Sequence, residues 1–454
     1  MTGAPGSSST GRGRPVLIGV LVALGVVFRL TGLDVQSLWH DELFSWYAST
    51  QPSWGDVVRV GGAEDVHPPA YYLLLRSWVG LFGTEEVALR GLSALAGIAS
   101  LPLFLLLGRR FDLGPRTLGW GALAWMPIYY SQEARAYAFV LLVVLGLAVT
   151  ITDPRAPTSV RTVLVGGLAA AAAWLHYFGL LFAALALPAW GAVLWRRGQP
   201  WSRAVVATVL ACVLYLPWIA TLETHASRER IWIPPLTWGR FVEVIGPVLQ
   251  DMPGVLLVLW GVGVVLARDR AVFAVGAAWL VACCGAAAVV SWTVLPVVTS
   301  RNLIIVVPAV ALLTAAASAS LDRRLPVPAV SALLGGYLLV DLLVLRAYPS
   351  TPTKPDYRGV ATLLAARQRA DEPVLADVWT RAYLDYHTEE PLPLAGTRTG
   401  PRARRPVFAA GPPVVHVAVL VKEGRPRCAM RERGYRADCE QLTGWDVYRF
   451  ERMD

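Results

Sequence analysis

Apolar runs of membrane-spanning length recur along this chain from Val16 to about Ala347 and then stop. The stretches 16–33, 87–107, 116–131, 136–152, 160–175, 177–195, 204–221, 251–267, 271–293, 303–320 and 327–347 each read as a transmembrane helix, about eleven in all. From residue 348 the pattern changes. A Pro-rich linker, "YPSTPTKPDYRG", leads into a helical "RGVATLLAARQRA", a strand "PVLADV", a strand "VVHVAVLV", a helix near "RCAMRERGY" and a strand "WDVYRFER". Such alternation predicts a small α/β domain. The expected architecture is a polytopic α-helical membrane domain over residues 1–347 and a soluble α/β domain over residues 348–454.

The polar residues between the runs fall into two alternating sets. One set is short and basic: Arg12 and Arg14; Arg109, Arg110 and Arg116; Arg155 and Arg161; Arg196, Arg197 and Arg203; Arg268 and Arg270; Arg323 and Arg324. Positive residues in short loops stay cytoplasmic, so the N-terminus is expected inside and the C-terminal domain outside. The other set faces out and holds "WHDELFSW", "EDVHPPAYY", "YYSQEARAY", "LHYFG", "ETHASRERIWIP" and "VTSRNL". The first outer loop, residues 34–86, is long. Its "HPPAYYLLLRSWVGLF" is apolar but too short to span, and predicts a helix lying in the interface with Tyr71, Tyr72 and Trp78 near headgroup level. The same reading applies to "DELFSWYAST".

Composition agrees with a membrane protein. The chain has 454 residues, 55% hydrophobic and 16% charged, against about 25% charged in soluble domains. A formal charge of +9 would suit a nucleic-acid partner, but the basic residues are dispersed through short loops and serve topology instead. Arg12 and Arg14 precede the first run as they would in a signal peptide. No small-residue cleavage site follows "FRLTGLD", so a retained first helix is expected. Cys212, Cys283 and Cys284 fall in apolar runs and read as packing residues. Cys428 and Cys439 fall in the outer domain, where a disulfide is permitted; the alternative is two unpaired buried thiols. That domain has no Gly-rich phosphate loop and no zinc spacing, so no nucleotide cofactor is expected.

The chemistry-bearing residues gather on the outer face. Asp41 and Glu42 stand side by side before an aromatic run. An acidic first turn at the positive end of an interfacial helix would account for them; so would a catalytic carboxylate. In "EDVHPP", Pro68 and Pro69 stiffen the chain after Asp65 and His67. An imidazole beside carboxylates is a candidate divalent-metal ligand, with Asp41 as a second, or else a turn histidine. "SQEARAY" sets Gln132, Glu133, Arg135 and Tyr137 at the top of a run. Arg and Glu there snorkel or pair, yet a guanidinium at that depth also matches lipid phosphate. Arg301 stands at the same depth on another helix, and His176 and Tyr177 face the same way. A carboxylate base, phosphate-binding arginines and aromatic surface together suit a lipid-phosphate sugar. The chemistry is displacement at an anomeric carbon, with a carboxylate taking the acceptor proton and cations stabilising the departing phosphate.

The same residues resemble the GT-C superfamily of membrane glycosyltransferases. They are closest in pattern to the glycosyltransferase family 39 type, which includes protein O-mannosyltransferases and the bacterial aminoarabinose transferases acting on lipid A. "DE" at Asp41 and Glu42 resembles the acidic pair of the family's first outer loop. "DVHPP", Asp65 to Pro69, resembles the mannosyltransferase run, and "FGTEEVALRGLSAL", "YSQEARAY" and "SRNLIIVVPAVALL" are similar to later family segments. The resemblance implies Asp41 as catalytic base, Glu42 supporting acceptor or metal, His67 near a metal, Arg135 and Arg301 on phosphate, and a polyprenyl-phosphate donor. Two departures stand out. Tyr71 and Tyr72 occupy the place of a family lysine, and Asn302 follows Arg301 where an aromatic is usual. The reading expected from all this is an inverting transferase in a bacterial cytoplasmic membrane, moving mannose or, second, arabinose onto a cell-envelope glycan, lipoglycan or protein. Glu133, Tyr137 and His176 join the substrate-binding set. The alternative is a transporter or lipid flippase, which would use ionisable groups near the bilayer midplane; Asp341 is the one mid-run carboxylate, with no evident partner in sequence. A non-catalytic scaffold would not need this gathering of groups on one face.

Overall fold

The structure is a computed structural model, and it describes residues 10–453 apart from 66, 222–232, 326–327, 352, 368, 370–371, 373, 376–379, 381–382, 385, 389–393, 397–413, 421–427, 429–434 and 444. The chain divides into two compact units. One comprises residues 1–31 and 48–347; the other comprises residues 32–47 and 348–454. The short segment that carries Asp41 and Glu42 thus groups with the C-terminal part of the chain.

The larger unit is helical. Its first half contains α1 (Thr10–Leu30); then, after α2 (His40–Ser49), come α3 (Trp54–Glu64), α4 (Ala70–Phe82), α5 (Glu86–Arg109), α6 (Gly114–Leu123), α7 (Trp125–Tyr129), α8 (Tyr137–Ile151), α9 (Ser159–Leu175), α10 (Tyr177–Arg196) and α11 (Ser202–Tyr215). α5 packs along α6 and α8, and α9 along α8, α10 and α11. Later come Trp238–Val248, Pro253–Leu266, Ala271–Thr293, Val307–Asp322 and Ala329–Val340. Among the described residues, five helices are long and apolar enough to cross a membrane: Glu86–Arg109, Tyr177–Arg196, Ser202–Thr221, Ala271–Thr293 and Arg301–Asp322. The pair Trp238–Val248 and Pro253–Leu266, bent by 72°, adds a sixth. Tyr137–Ile151, Ser159–Leu175 and Ala329–Leu345 are apolar but shorter.

Eleven uninterrupted spans are therefore not what length and composition of the helices give. The expected span 116–131 shows why. It breaks at Ala124, whose backbone is extended (φ −68°, ψ 139°), restarts as α7 and tightens into a 3₁₀ turn over Tyr130–Gln132. Pro127 sits in the first turn of α7, where its missing N–H costs nothing.

The Arg301–Asp322 segment is buried along its whole apolar window. Its helix is rich in Ala and Ser, which let neighbouring backbones come close. Gly263 shows how close: a Cβ there would lie 2.6 Å from Ala317 Cα. Two buried charges in this unit show how such groups are met. Arg29, fully buried, donates from Nη1 to Gly25 O at 2.9 Å and from Nη2 to Gly121 O at 2.7 Å. Asp341 accepts from Arg346 Nε at 2.9 Å, and Arg346 also holds Asp251 at 2.5 Å and covers the Trp125 ring. The mid-run carboxylate has its partner after all.

The smaller unit is built on a mixed five-stranded sheet in the order β2-β1-β3-β5-β4. The strands are β1 (Val374–Leu375), β2 (Leu394–Gly396), β3 (Val414–Leu420), β4 (Tyr435–Leu442) and β5 (Trp445–Arg452). β1 runs parallel to β2 and β3; β5 is antiparallel to β3 and β4. Val415 pairs with Phe450 and Val417 with Tyr448, so these four share one face with Leu375 and Tyr435 as a core. Tyr357, which opens the helix Tyr357–Arg367, packs edge-on to Trp445 at 5.0 Å between ring centroids. The expected strands at 414–421 and 445–452 and the expected helix after the linker are present. Of the strand expected over "PVLADV", residues 374–375 are described as β1. Most of the helix expected near "RCAMRERGY" lies outside the described residues, and its last residue, Tyr435, opens β4. Cys428 and Cys439 form a disulfide. Cys283 and Cys284 are free and buried, whereas Cys212 is free and exposed on its helix.

Candidate active site

In the larger unit the loop between α3 and α4 brings Asp65 and His67 onto Tyr72 and Arg135. Pro68 and Pro69 start α4, so Tyr71 and Tyr72 fall in its first turn and are buried. The Tyr72 hydroxyl donates to Asp65 Oδ2 and accepts from Arg135 Nη1 at 2.8 Å. Arg135 Nη2 lies 3.1 Å from His67 Nδ1 and 3.8 Å from Asp65 Oδ2. His67 Nδ1 is 3.2 Å from both Asp65 oxygens. Burial pushes the Asp65 carboxyl up. The charges of His67 and Arg135, with hydrogen bonds from His67 and Tyr72, outweigh burial and hold it well below the ordinary carboxylate value. The backbone of Arg135 is pinned as well: its carbonyl accepts from Ser93 Oγ at 3.1 Å, and Ser93 Oγ lies 3.2 Å from Tyr71 Oη. Gln132 Nε2 donates at 2.7 Å to both Phe28 O and Thr31 O, closing the end of α1.

His176 joins this cluster from the α9–α10 junction. Its ring lies 4.7 Å from that of His67 and 5.6 Å from that of Tyr137, around a small cavity that Tyr72 and Arg135 also line. His176 Nδ1 accepts the Phe178 N–H at 3.1 Å as the N-cap of α10. The imidazole hydrogen must therefore sit on Nε2, which is buried and finds no hydrogen-bond partner among the described residues. Burial lowers the His176 pKa, and the charges of His67, Arg135 and Arg301 lower it further against Asp65. Arg301 and Glu133 both act electrostatically on the Tyr130 hydroxyl. Glu133, Arg135 and Tyr137 are buried; Arg301 is half-buried. So the structure brings Asp65, His67, Tyr72, Arg135, Tyr137 and His176 together, with Arg301 and Glu133 within electrostatic reach.

Through Nδ1, His67 is a poor fit as a metal ligand. A guanidinium faces the nitrogen that would ligate, and the adjacent carboxylate is already matched by that guanidinium. A divalent cation would be repelled by Arg135. Cys428, Cys439 and Asp446 lie within ligand distance of one another, but both sulfurs are spent in the disulfide.

Asp41 and Glu42 belong to the smaller unit and differ sharply. Both lie in the first turn of α2. Glu42 is fully buried; Asp41 is half-buried. Glu42 Oε2 lies 3.0 Å from Lys354 Nζ and accepts, at 3.5 Å, the backbone N–H of Trp39. With Trp39 before the helix and Glu42 three residues on, this is the reciprocal half of a capping box. The acidic first turn thus holds one structural carboxylate and one accessible carboxylate. Lys354 was not singled out by sequence reading, and Tyr72 was read there as an interfacial aromatic, not as a site residue. The signals available were that Tyr72 stands where the resembled family has a lysine, and that Lys354 is one of two lysines, with Lys422, in an arginine-rich chain.

No protein-family model and no curated protein matches the chain. Solved structures do. The apo crystal structure of ArnT from Cupriavidus metallidurans matches 91% of this chain and 93% of its own length at 16% identity, with a TM-score of 0.59. ArnT of the same organism bound to undecaprenyl phosphate matches 97% of this chain and 98% of its own at 14% identity, again with a TM-score of 0.59. The chain has the GT-C fold. An oligosaccharyltransferase from Archaeoglobus fulgidus, in complex with Zn and sulfate, matches 88% of this chain and 67% of its own at 13% identity and a TM-score of 0.48. Within the GT-C fold, identities this low speak for the path of the chain. The chemistry has to be argued from the residues.

Proposed function

We propose that the protein is an inverting glycosyltransferase that moves a sugar from a polyprenyl-phosphate donor to an acceptor hydroxyl at the outer face of a bacterial cytoplasmic membrane. The observation that carries this reading is the match to ArnT bound to undecaprenyl phosphate over nearly the full length of both chains. Mannose is the first choice of sugar and arabinose the second. The acceptor is a cell-envelope glycan, a lipoglycan or a protein.

Asp41 is the general base. It is the less buried of the adjacent carboxylates, and its neighbour's charge is met by Lys354. As the acceptor oxygen attacks the anomeric carbon, Asp41 takes the hydroxyl proton. The bond from that carbon to the phosphate oxygen breaks, and polyprenyl phosphate leaves with the electron pair. One displacement inverts the anomeric centre. Arg301 and Arg135 provide positive charge for the departing phosphate. Arg135 Nη1 already donates to Tyr72 and Nη2 lies against His67, so its field and its hold on Tyr72 matter more than a free guanidinium fork. His176 offers a neutral Nε2–H donor; Tyr137 and Glu133 line the same face. Glu42 supports Asp41 through the start of α2. The pairing of Asp341 with Arg346 weighs against the transporter reading, which wants an exchangeable mid-membrane carboxylate.

The test is transfer of label from radiolabelled polyprenyl-phosphate mannose, and then from the arabinose lipid, by membranes holding wild type or Asp41→Asn at matched expression. Label in wild type that the variant loses supports the reading. Equal labelling removes Asp41 from the mechanism, and no labelling from either lipid removes both donors.

A further inference from the structure

We infer that Lys354, on the linker that opens the C-terminal part of the chain, is a positioning residue for the catalytic carboxylate, and that this linker completes the active loop. The inference rests on the reading of Asp41 as the base. Residues 32–47 pack with residues 348–454 as one compact unit, and the contacts are specific. Lys354 Nζ meets the buried Glu42 carboxylate at 3.0 Å while lying 5.9 Å from the Trp39 ring centroid. Thr353 N and Oγ1 both donate to Gln36 Oε1 at 3.1 Å, and Gln36 Nε2 reaches Pro349 O at 3.3 Å. Arg358 N donates to Ser37 Oγ at 3.0 Å, and its Nη2 to Asp34 O at 2.9 Å. Gly32, at φ +80°, lies against Pro349, where a Cβ would collide with the proline ring.

The physical logic runs from charge to geometry. Glu42 is fully buried, and a buried carboxylate needs a cation to stay ionised. Lys354 provides one. Ionised Glu42 accepts the Trp39 N–H and fixes the first turn of α2, and Asp41 lies inside that turn, immediately before Glu42. Lys354 therefore acts on Asp41 through Glu42 and through the start of the helix, without touching substrate.

Two readouts test this. In the first, sugar transfer from polyprenyl-phosphate mannose is measured for Lys354→Met, Lys354→Arg and Glu42→Gln/Lys354→Met. Lys354→Met should lower kcat about tenfold or more with donor KM nearly unchanged, a coupling within the range of contacting pairs. Lys354→Arg should stay near wild type. The double variant, which leaves no lone buried charge, should fall between. In the second, Asp41→Cys is placed in a chain with Cys212, Cys283 and Cys284 replaced, and the rate of modification by a membrane-impermeant maleimide is followed. Adding Lys354→Met should raise that rate severalfold. A folded Lys354→Met with wild-type kcat, or an unchanged labelling rate, overturns the proposal. If Lys354→Met does not fold, a double variant equal to wild type in both readouts overturns it instead. If wild type itself transfers nothing, the donor assignment fails, and the labelling arm still decides the role of Lys354.

Discussion

Replacing Arg135 is the sharpest perturbation of the buried cluster. In Arg135→Leu, Tyr72 Oη loses a 2.8 Å hydrogen bond and His67 Nδ1 loses a 3.1 Å contact. The Arg135–Tyr72 hydrogen bond involves a charged group and contributes about 1.5–3 kcal/mol. Asp65, held ionised partly by Arg135, is left with one cation fewer in a buried setting, and breaking a buried pair costs about 3–5 kcal/mol. These effects overlap, so the expected loss is about 3–5 kcal/mol. Arg135→Lys keeps the charge but presents one ammonium where two guanidinium nitrogens diverge to Tyr72 and His67, and should lose about 1.5–3 kcal/mol, one charged hydrogen bond. The assay is denaturant unfolding in detergent micelles, run as a cycle with Asp65→Asn. The double variant Asp65→Asn/Arg135→Leu should be more stable than Arg135→Leu alone, because the lone carboxylate is gone. Additive losses, or an Arg135→Leu protein within about 0.5 kcal/mol of wild type, would refute the reasoning.

Three further outcomes follow from other parts of the molecule. His176 has a lowered pKa when folded, so below about pH 6.5 the unfolded chain takes up a proton that the folded chain refuses; stability should be flat above that pH and fall below it by up to about 1.4 kcal/mol per pH unit, and thermal unfolding from pH 8 to 5.5 should show that slope shrinking in His176→Gln. The disulfide closes a loop with a sequence separation of 11, so the variant Cys428→Ser/Cys439→Ser should destabilise the C-terminal part by about 3 kcal/mol on the chain-entropy model, read by denaturant unfolding or by proteolysis of this region. Gly263→Val drives a side chain into Ala317, already 2.6 Å from an added Cβ, and should cost about 1–3 kcal/mol, seen as a lower detergent unfolding temperature, whereas Gly261→Val, with open space around its Cβ, should not.

The legible parts were those with local signals. Alternation marked β3 and β5, and the Pro-Pro pair marked the start of α4. β4 was missed because "YRADCEQL" carries little apolar alternation; it is a strand because it pairs with β5 along its whole length, with only Tyr435 buried. The break at Ala124 was missed because the run is apolar on both sides of it, and hydropathy does not register backbone direction. Among site residues, the order of acidic, histidine and arginine motifs pointed to the cluster around Arg135, but not to the Tyr72 hydroxyl that joins Asp65 to Arg135. The role of Glu42 could not be read locally at all, since its cation lies 312 residues away in sequence.

That separation has a consequence for how the molecule is made. A chain emerges from its N-terminus onward, so Asp41 and Glu42 are synthesised before nearly all of the membrane helices. Lys354 arrives only after the last apolar run. Until then, Glu42 lacks the cation it meets in the finished chain. A ribosome-bound or truncated chain, however well inserted, holds its carboxylate pair without that clamp. The pairing of Glu42 with Lys354 is therefore one of the last contacts of the smaller unit that synthesis allows, made only once the linker has left the ribosome.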